Sequence, residues 1–186
     1  PTAALPLGSG FQSTDVGRLI HYYDGTKWAW LTITAVGSTT SITATVTGTD
    51  GVVGASMNGH AATIKWALGA WSDTTGYPRT GTFHQGRLWA AETNWQPQTV
   101  WASVSEDFEN MTAGANDSDA IIASIMTDRV NLINWIASEK RLVVGTSQEL
   151  FTIFSGALSE PITPTNIQVD PSSSFGSSEV PPEKIG

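Results

Sequence analysis

The chain has 186 residues, 17 acidic against 9 basic, for a net charge of −8, with 40% hydrophobic residues, only 14% charged ones and no cysteine. That content builds a packed core for one sizeable domain or two small ones. The acidic balance lacks the basic stripe that stable nucleic-acid binding needs, and the absence of thiols excludes disulfides and thiolate metal sites.

Abundant Gly, Ser and Thr with short apolar runs point to an all-β fold, and no run approaches the roughly 18 residues of a membrane-spanning helix. No signal peptide or membrane insertion is expected. Residues 1–10, PTAALPLGSG, read as a linker. Residues 11–66 read as a small antiparallel β domain, a barrel or meander. GRLIHYY, TKWAWLTITAV and SITATVTGT are rich in β-branched and aromatic residues, and Asp24-Gly25 suits a tight hairpin. Strand alternation places Trp28, Trp30, Thr32 and Thr34 on one face and Ala29, Leu31, Ile33 and Ala35 on the other. DGVVGASMNGHAA reads as a loop. The start at Pro1 and the ending VPPEKIG read as those of a segment from a longer protein.

From 67 to 186 a unit recurs. RTGTFHQ, GRLWAA and TVWAS form one strand-turn-strand series, and NLINWIAS, KRLVVG and ELFTIFS form another. Such recurrence is expected of propeller blades, so part of a β-propeller is expected, with blades at about 78–127 and 130–160 and the start of a further one at 162–186. The alternative is two unrelated hairpins that share Arg-Leu. Between the series, Asp117 and Asp119 suit the cap of a short helix at AIIASIM, but Ile121, Ala123 and Ile125 alternate with period two; a strand closing the first blade is preferred.

Glu106, Asp107, Glu109, Asp117 and Asp119 form the densest acidic cluster. It reads as a solvated loop, because it lacks the central Gly and closing Glu of an EF-hand; a Ca²⁺ site and an acid/base pair for glycoside cleavage are the alternatives. His21, His60 and His84 show no zinc-ligand spacing, and His84 in FHQGRL reads as a hydrogen-bonding rim residue. No G-x-S-x-G elbow or phosphate-binding glycine loop occurs. The sequons at Asn110 and Asn116 carry no weight without a secretory signal. Trp89, Trp101 and Trp135 read as packing residues within strands. Trp71 and Trp95 sit in turns, and Trp95 in ETNWQPQ is the candidate for contact with a partner.

WALGAWSDTTGYPR, FHQGRLW, QPQTVWASVSEDFEN, NLINWI, RLVVGT and ITPTNI, in this order and spacing, resemble the tail nozzle proteins of short-tailed phages, the tail tubular protein B family. The resemblance spans about residues 66–186, with weaker support in the meander before it. It implies a virion protein without catalysis or cofactor, made in the bacterial cytoplasm. It further implies a hexameric ring that meets a tail adaptor and fibres and encloses the channel for DNA ejection. The matching residues are Trp71, Gly76, Tyr77, Pro78, Arg87, Leu88, Gln96, Pro97, Trp101 and Ser103, expected to serve as scaffold. Pro78 forces Tyr77 into an extended conformation, and the planar fork of Arg87 suits either turn carbonyls or a neighbouring blade's carboxylate. The acidic balance suits a surface past which DNA slides.

Overall fold

The computed structural model describes residues 10–49, 52, 53, 57, 62–128, 130–156 and 160–183. The chain divides between Tyr77 and Pro78 into two compact units. In the first unit β1 (Leu19–Tyr23), β2 (Trp28–Ser38), β3 (Ser41–Thr49), β4 (Val52–Val53) and β5 (Trp66–Leu68) form one antiparallel sheet in the order β4-β3-β2-β1-β5. Asp24 closes the β1–β2 turn: its Oδ1 accepts the backbone N–H groups of Thr26 at 2.8 Å and Lys27 at 2.9 Å. Gly25 takes a φ of 100°, where a side chain would be strained. Ile20, Ala29 and Ile33 are buried on one face of the sheet. On the opposite face the His21 ring lies between Trp28 and Trp30, at centroid distances of 4.2 and 4.1 Å.

Two boundaries differ from those expected. Val52–Val53 is a strand rather than loop, since it pairs with Gly48 and Thr49; the rest of that segment, His60 included, lies outside the described residues apart from Val52, Val53, Met57 and Ala62. The first unit also runs on to Tyr77 instead of ending at 66. β5 pairs with β1, and the segment after it is tied back by a buried polar network. Asp15, at the end of a 3-10 turn (Ser13–Asp15), forms an ion pair with Arg18 at 2.9 Å, and both are almost fully buried. Arg18 Nε donates to the Gly69 carbonyl at 2.7 Å, and Thr74 Oγ1 donates to Asp15 Oδ1 at 2.9 Å. These bonds satisfy charges whose burial would otherwise be costly.

The second unit holds two four-stranded antiparallel sheets, each in chain order. The first comprises β6 (Thr80–His84), β7 (Arg87–Ala91), β8 (Thr99–Ala102) and β9 (Ile121–Ser124), so the AIIASIM segment does supply a strand. Gln85 and Gly86, with φ of 50° and 69°, make the two-residue β6–β7 turn; two positive φ angles match the natural twist of a hairpin. The second comprises β10 (Ile133–Ser138), β11 (Leu142–Thr146), β12 (Leu150–Ser155) and β13 (Ile167–Ser173). Here the expected further blade at 162–186 is corrected. Its strand pairs with β12 from Ser155↔Ile167 to Leu150↔Ser173 and becomes the fourth strand of the second sheet. Pro171, which has no N–H to donate, is tolerated because β13 is an edge strand.

Trp89, Val100, Ala102 and Ile121 from the first sheet and Ile136, Leu142, Val144, Phe151 and Ile153 from the second belong to one buried core. Specific bonds fix how the sheets meet. Ile133 N donates to the Pro97 carbonyl at 3.1 Å, Ile136 N to Thr80 Oγ1 at 3.3 Å and Ile162 N to Gln85 Oε1 at 2.8 Å. The first strands of the two sheets, β6 and β10, lie side by side. Gly145 in RLVVGT is explained by close approach: a Cβ there would run into the Trp135 indole. That indole donates to the Ser178 carbonyl at 3.1 Å and thereby holds the chain beyond β13 over it.

Candidate functional site

Arg87 opens β7 directly after the Gln85-Gly86 turn and is 2% exposed. Its Nη1 donates to the carbonyls of Ser103 at 2.6 Å, Asp119 at 2.7 Å and Ser118 at 3.3 Å, and its Nη2 to that of Asp117 at 2.5 Å. Of the two roles the sequence left open, the guanidinium takes the capture of turn carbonyls. The long loop between β8 and β9 thus closes around one planar fork whose donors match several carbonyls at once. Burial pulls the guanidinium below its ordinary pKa while the Asp119 carboxylate acts in the opposite direction.

Two further motif residues belong to this cluster. Ser103 is fully buried; its N–H donates to the Leu88 carbonyl at 2.9 Å and its Oγ accepts the Leu88 N–H at 3.0 Å. Trp101, on the next strand, is 3% exposed. Gln96 and Pro97 lie in the β7–β8 loop: Gln96 N donates to both the carbonyl and Oγ1 of Thr93, at 3.1 and 3.0 Å, and Pro97 supplies the carbonyl that receives β10. Trp95 sits at the tip of this turn with 41% exposure.

Trp71, Gly76 and Tyr77 lie in the first unit, and Pro78 begins the second, so the GYP block straddles the division. Gly76, with a φ of 84°, closes a loop in which its N–H donates to the Ser72 carbonyl at 2.7 Å. Tyr77 is exposed; loss of solvent, with a smaller part from the Asp73 carboxylate beside it, raises its phenol above the ordinary value. The structure therefore brings together Arg87, Leu88 and Ser103, and does not bring the whole motif set to one place.

Among the acidic cluster, Asp119 Oδ2 accepts the backbone and side-chain N–H groups of Asn116 at 2.9 and 3.0 Å, and Asp107 Oδ2 accepts from Asn110 at 3.1 Å. No group of three or more His, Cys, Asp or Glu suited to a metal occurs among the described residues. His84 is nearly buried, its Nδ1 2.9 Å from Ser138 Oγ, and burial lowers its pKa, as it does that of His21. Asp15, Arg18 and Asn131, all buried and polar, were not singled out in the sequence.

Glu92, at the start of the β7–β8 loop, is 6% exposed and has a φ of 62°. Burial raises its pKa, with Arg79 opposing. A raised folded-state pKa means that the folded chain holds the proton more tightly than the unfolded one. This contribution is complete below the ordinary glutamate range and is lost as pH rises through the folded-state value. Glu92→Gln is accordingly expected to gain stability relative to the parent as pH rises from 4 to 8. Urea midpoints at several pH values measure this, and a difference independent of pH would refute it.

The geometry defines an all-β scaffold in which the motif residues described are bonded mainly to backbone. No protein-family profile and no curated protein sequence matches the chain.

Proposed function

We propose that the chain is a structural segment of a phage tail nozzle, acting through assembly of a ring around the DNA-ejection channel rather than through chemistry. The observation that carries this reading is the pair of consecutive four-stranded antiparallel sheets, each in simple chain order, whose first strands abut. Successive blades of a propeller meet in this way near the axis, so the arrangement supports a partial β-propeller. The binding of Arg87 to backbone carbonyls supports a scaffold role for the motif residues.

In this reading the partners are further copies of the chain in a hexamer, a tail adaptor and fibres, and DNA that passes without sequence-specific contact. The net charge of −8 supports passage, since repulsion of phosphate prevents trapping. Electron microscopy of the full-length protein is expected to show a six-fold ring with a central pore. A monodisperse monomer at micromolar concentration, with no ring in virions, would refute it.

The exposure of Trp95 favours a second reading, a carbohydrate- or receptor-binding module of a tail. Binding on a glycan array that Trp95→Ala abolishes would select that reading.

A further inference from the structure

His84 is the last residue of β6, and its imidazole stands where β6 meets β10, at the seam between the two sheets of the second unit. Strand alternation decides which way it faces. Phe83 is 61% exposed, whereas His84, one residue on, is 7% exposed. The Trp89 indole, itself fully buried, donates to the His84 carbonyl at 3.1 Å and ties down the strand end. The imidazole Nδ1 lies 2.9 Å from the Oγ of Ser138, the last residue of β10. Nε2 is buried and has no hydrogen-bond partner among the described residues.

This arrangement suits only a neutral ring. One proton on Nδ1, donated to Ser138, leaves Nε2 as a bare lone pair. A second proton turns Nε2 into a charged donor, buried without an acceptor. The surrounding groups do not compensate it. Arg87, the partner of His84 across the hairpin, is a cation whose own donors are taken by carbonyls. Lys140 and Arg141, in the turn after Ser138, are cations as well. The carboxylates are Glu106 beside Gly86, Glu139 next to Ser138, and Glu160, two residues before the Ile162 that Gln85 receives; all three are exposed. Burial lowers the pKa of the ring, and no carboxylate among the described residues opposes it. Because strand alternation holds the ring on the inner face, a charged imidazole reaches water only when β6 moves off β10.

We propose that the His84–Ser138 contact is an acid-sensitive latch between the two sheets: the neutral imidazole holds β6 against β10, and protonation of Nε2 parts them. The parting also breaks the bonds from Ile136 N to Thr80 Oγ1 and from Ile162 N to Gln85 Oε1. The folded chain holds the His84 proton less tightly than the opened one. The seam is therefore at full strength above the ordinary histidine value of about 6.5 and weakens as pH falls from there to the lowered folded-state value. The inference is independent of the nozzle reading, because it rests on one contact inside the second unit.

The test is amide exchange read by NMR on the chain between pH 7 and 5.5, corrected for the pH dependence of intrinsic exchange. Protection at Ile136 and Ile162 is expected to fall as pH is lowered, by up to about tenfold per pH unit, and protection in the β11–β12 ladder by less. The His84 ring is expected to titrate with a midpoint below 6.5. His84→Gln keeps a polar group for Ser138 and does not titrate, and is expected to abolish the fall; Glu92 acts in the opposite direction, so it does not mimic the effect. Ser138→Ala is expected to lower protection at Ile136 already at pH 7. His21 lies in the other unit, and the β1 amides report its titration separately. Protection at Ile136 and Ile162 that does not change with pH, a His84 midpoint at or above 6.5, or the same fall in His84→Gln would overturn the proposal.

Discussion

Arg18→Ala is expected to destabilise the first unit by about 3–5 kcal/mol, the cost typical of removing one partner of a buried ion pair. Asp15 is 1% exposed and its carboxylate accepts from three groups, Gln12 N, Thr74 Oγ1 and Arg18 Nη1, each at 2.9 Å. Without Arg18 the remaining donors are neutral, so a charged group stays buried with no counter-charge beside it. The loss of the Arg18 Nε bond to the Gly69 carbonyl also frees the segment that follows β5. The pair Arg79–Glu179 provides the contrast. It is 3.2 Å long, but its side chains are 46% and 73% exposed, and Arg79→Ala is expected to cost less than about 1 kcal/mol. The double variant Arg18→Met/Asp15→Asn is expected to be less harmful than the sum of its parts, because neither charge is then left alone. Urea unfolding followed by residue-resolved NMR reads the two units separately. A loss below about 1 kcal/mol for Arg18→Ala would mean that water reaches the pair in solution and that the network does not define the unit.

What the sequence displayed was local. Alternation along WAWLTITAV separates Ala29 and Ile33 from Trp28 and Trp30, and the structure buries the first pair and stacks the second around His21. Asp24-Gly25 marked a turn through a conformation that glycine permits. The missed features all depend on which distant segment a residue meets. Asp15 and Arg18 sit in QSTDVGRL, which reads as ordinary turn chemistry until β5 and Thr74 close over it. The strand in TNIQVD was visible, but periodicity does not say whether a strand starts a sheet or completes one, and pairing with β12 decides this. Val52–Val53 is too short to carry a pattern and exists through its pairing with β3. Asn131 carries no local mark either. Its burial comes from the fold, and its amide meets Glu149, 18 residues further along the chain. The chemistry of Arg87 was legible to the level of two alternatives, because a guanidinium next to a tight turn and before a long polar loop has few other acceptors.

Arg87→Met is expected to cost about 3 kcal/mol and to release the loop from Val104 to Asp119, an effect of similar scale with a different cause. Methionine preserves much of the volume and removes every donor. The Ser103 carbonyl belongs to a fully buried residue, so its charge-assisted bond at 2.6 Å is the largest single loss, at about 1.5–3 kcal/mol. Asp117 and Ser118 are exposed residues whose carbonyls water can solvate once the arginine is gone, so their bonds add less. Arg87→Lys keeps the charge but replaces a planar fork with a compact ammonium on a different stem, and is expected to recover only part of the loss. The core strands β7 and β8 remain paired, with Trp89 and Val100 buried beneath them. Amide exchange is therefore expected to accelerate strongly in the loop and only modestly in β7 and β8. An unchanged unfolding midpoint, or loop amides as protected as in the parent, would show that the loop is held by its own Asn110 and Asn116 turns and that Arg87 is dispensable. The same substitution bears on assembly. If the proposed ring assembles through this loop, Arg87→Met is expected to lower ring yield at temperatures where the core remains folded. That outcome would place Arg87 as the point where the stability of one sheet is passed to the geometry of the assembly.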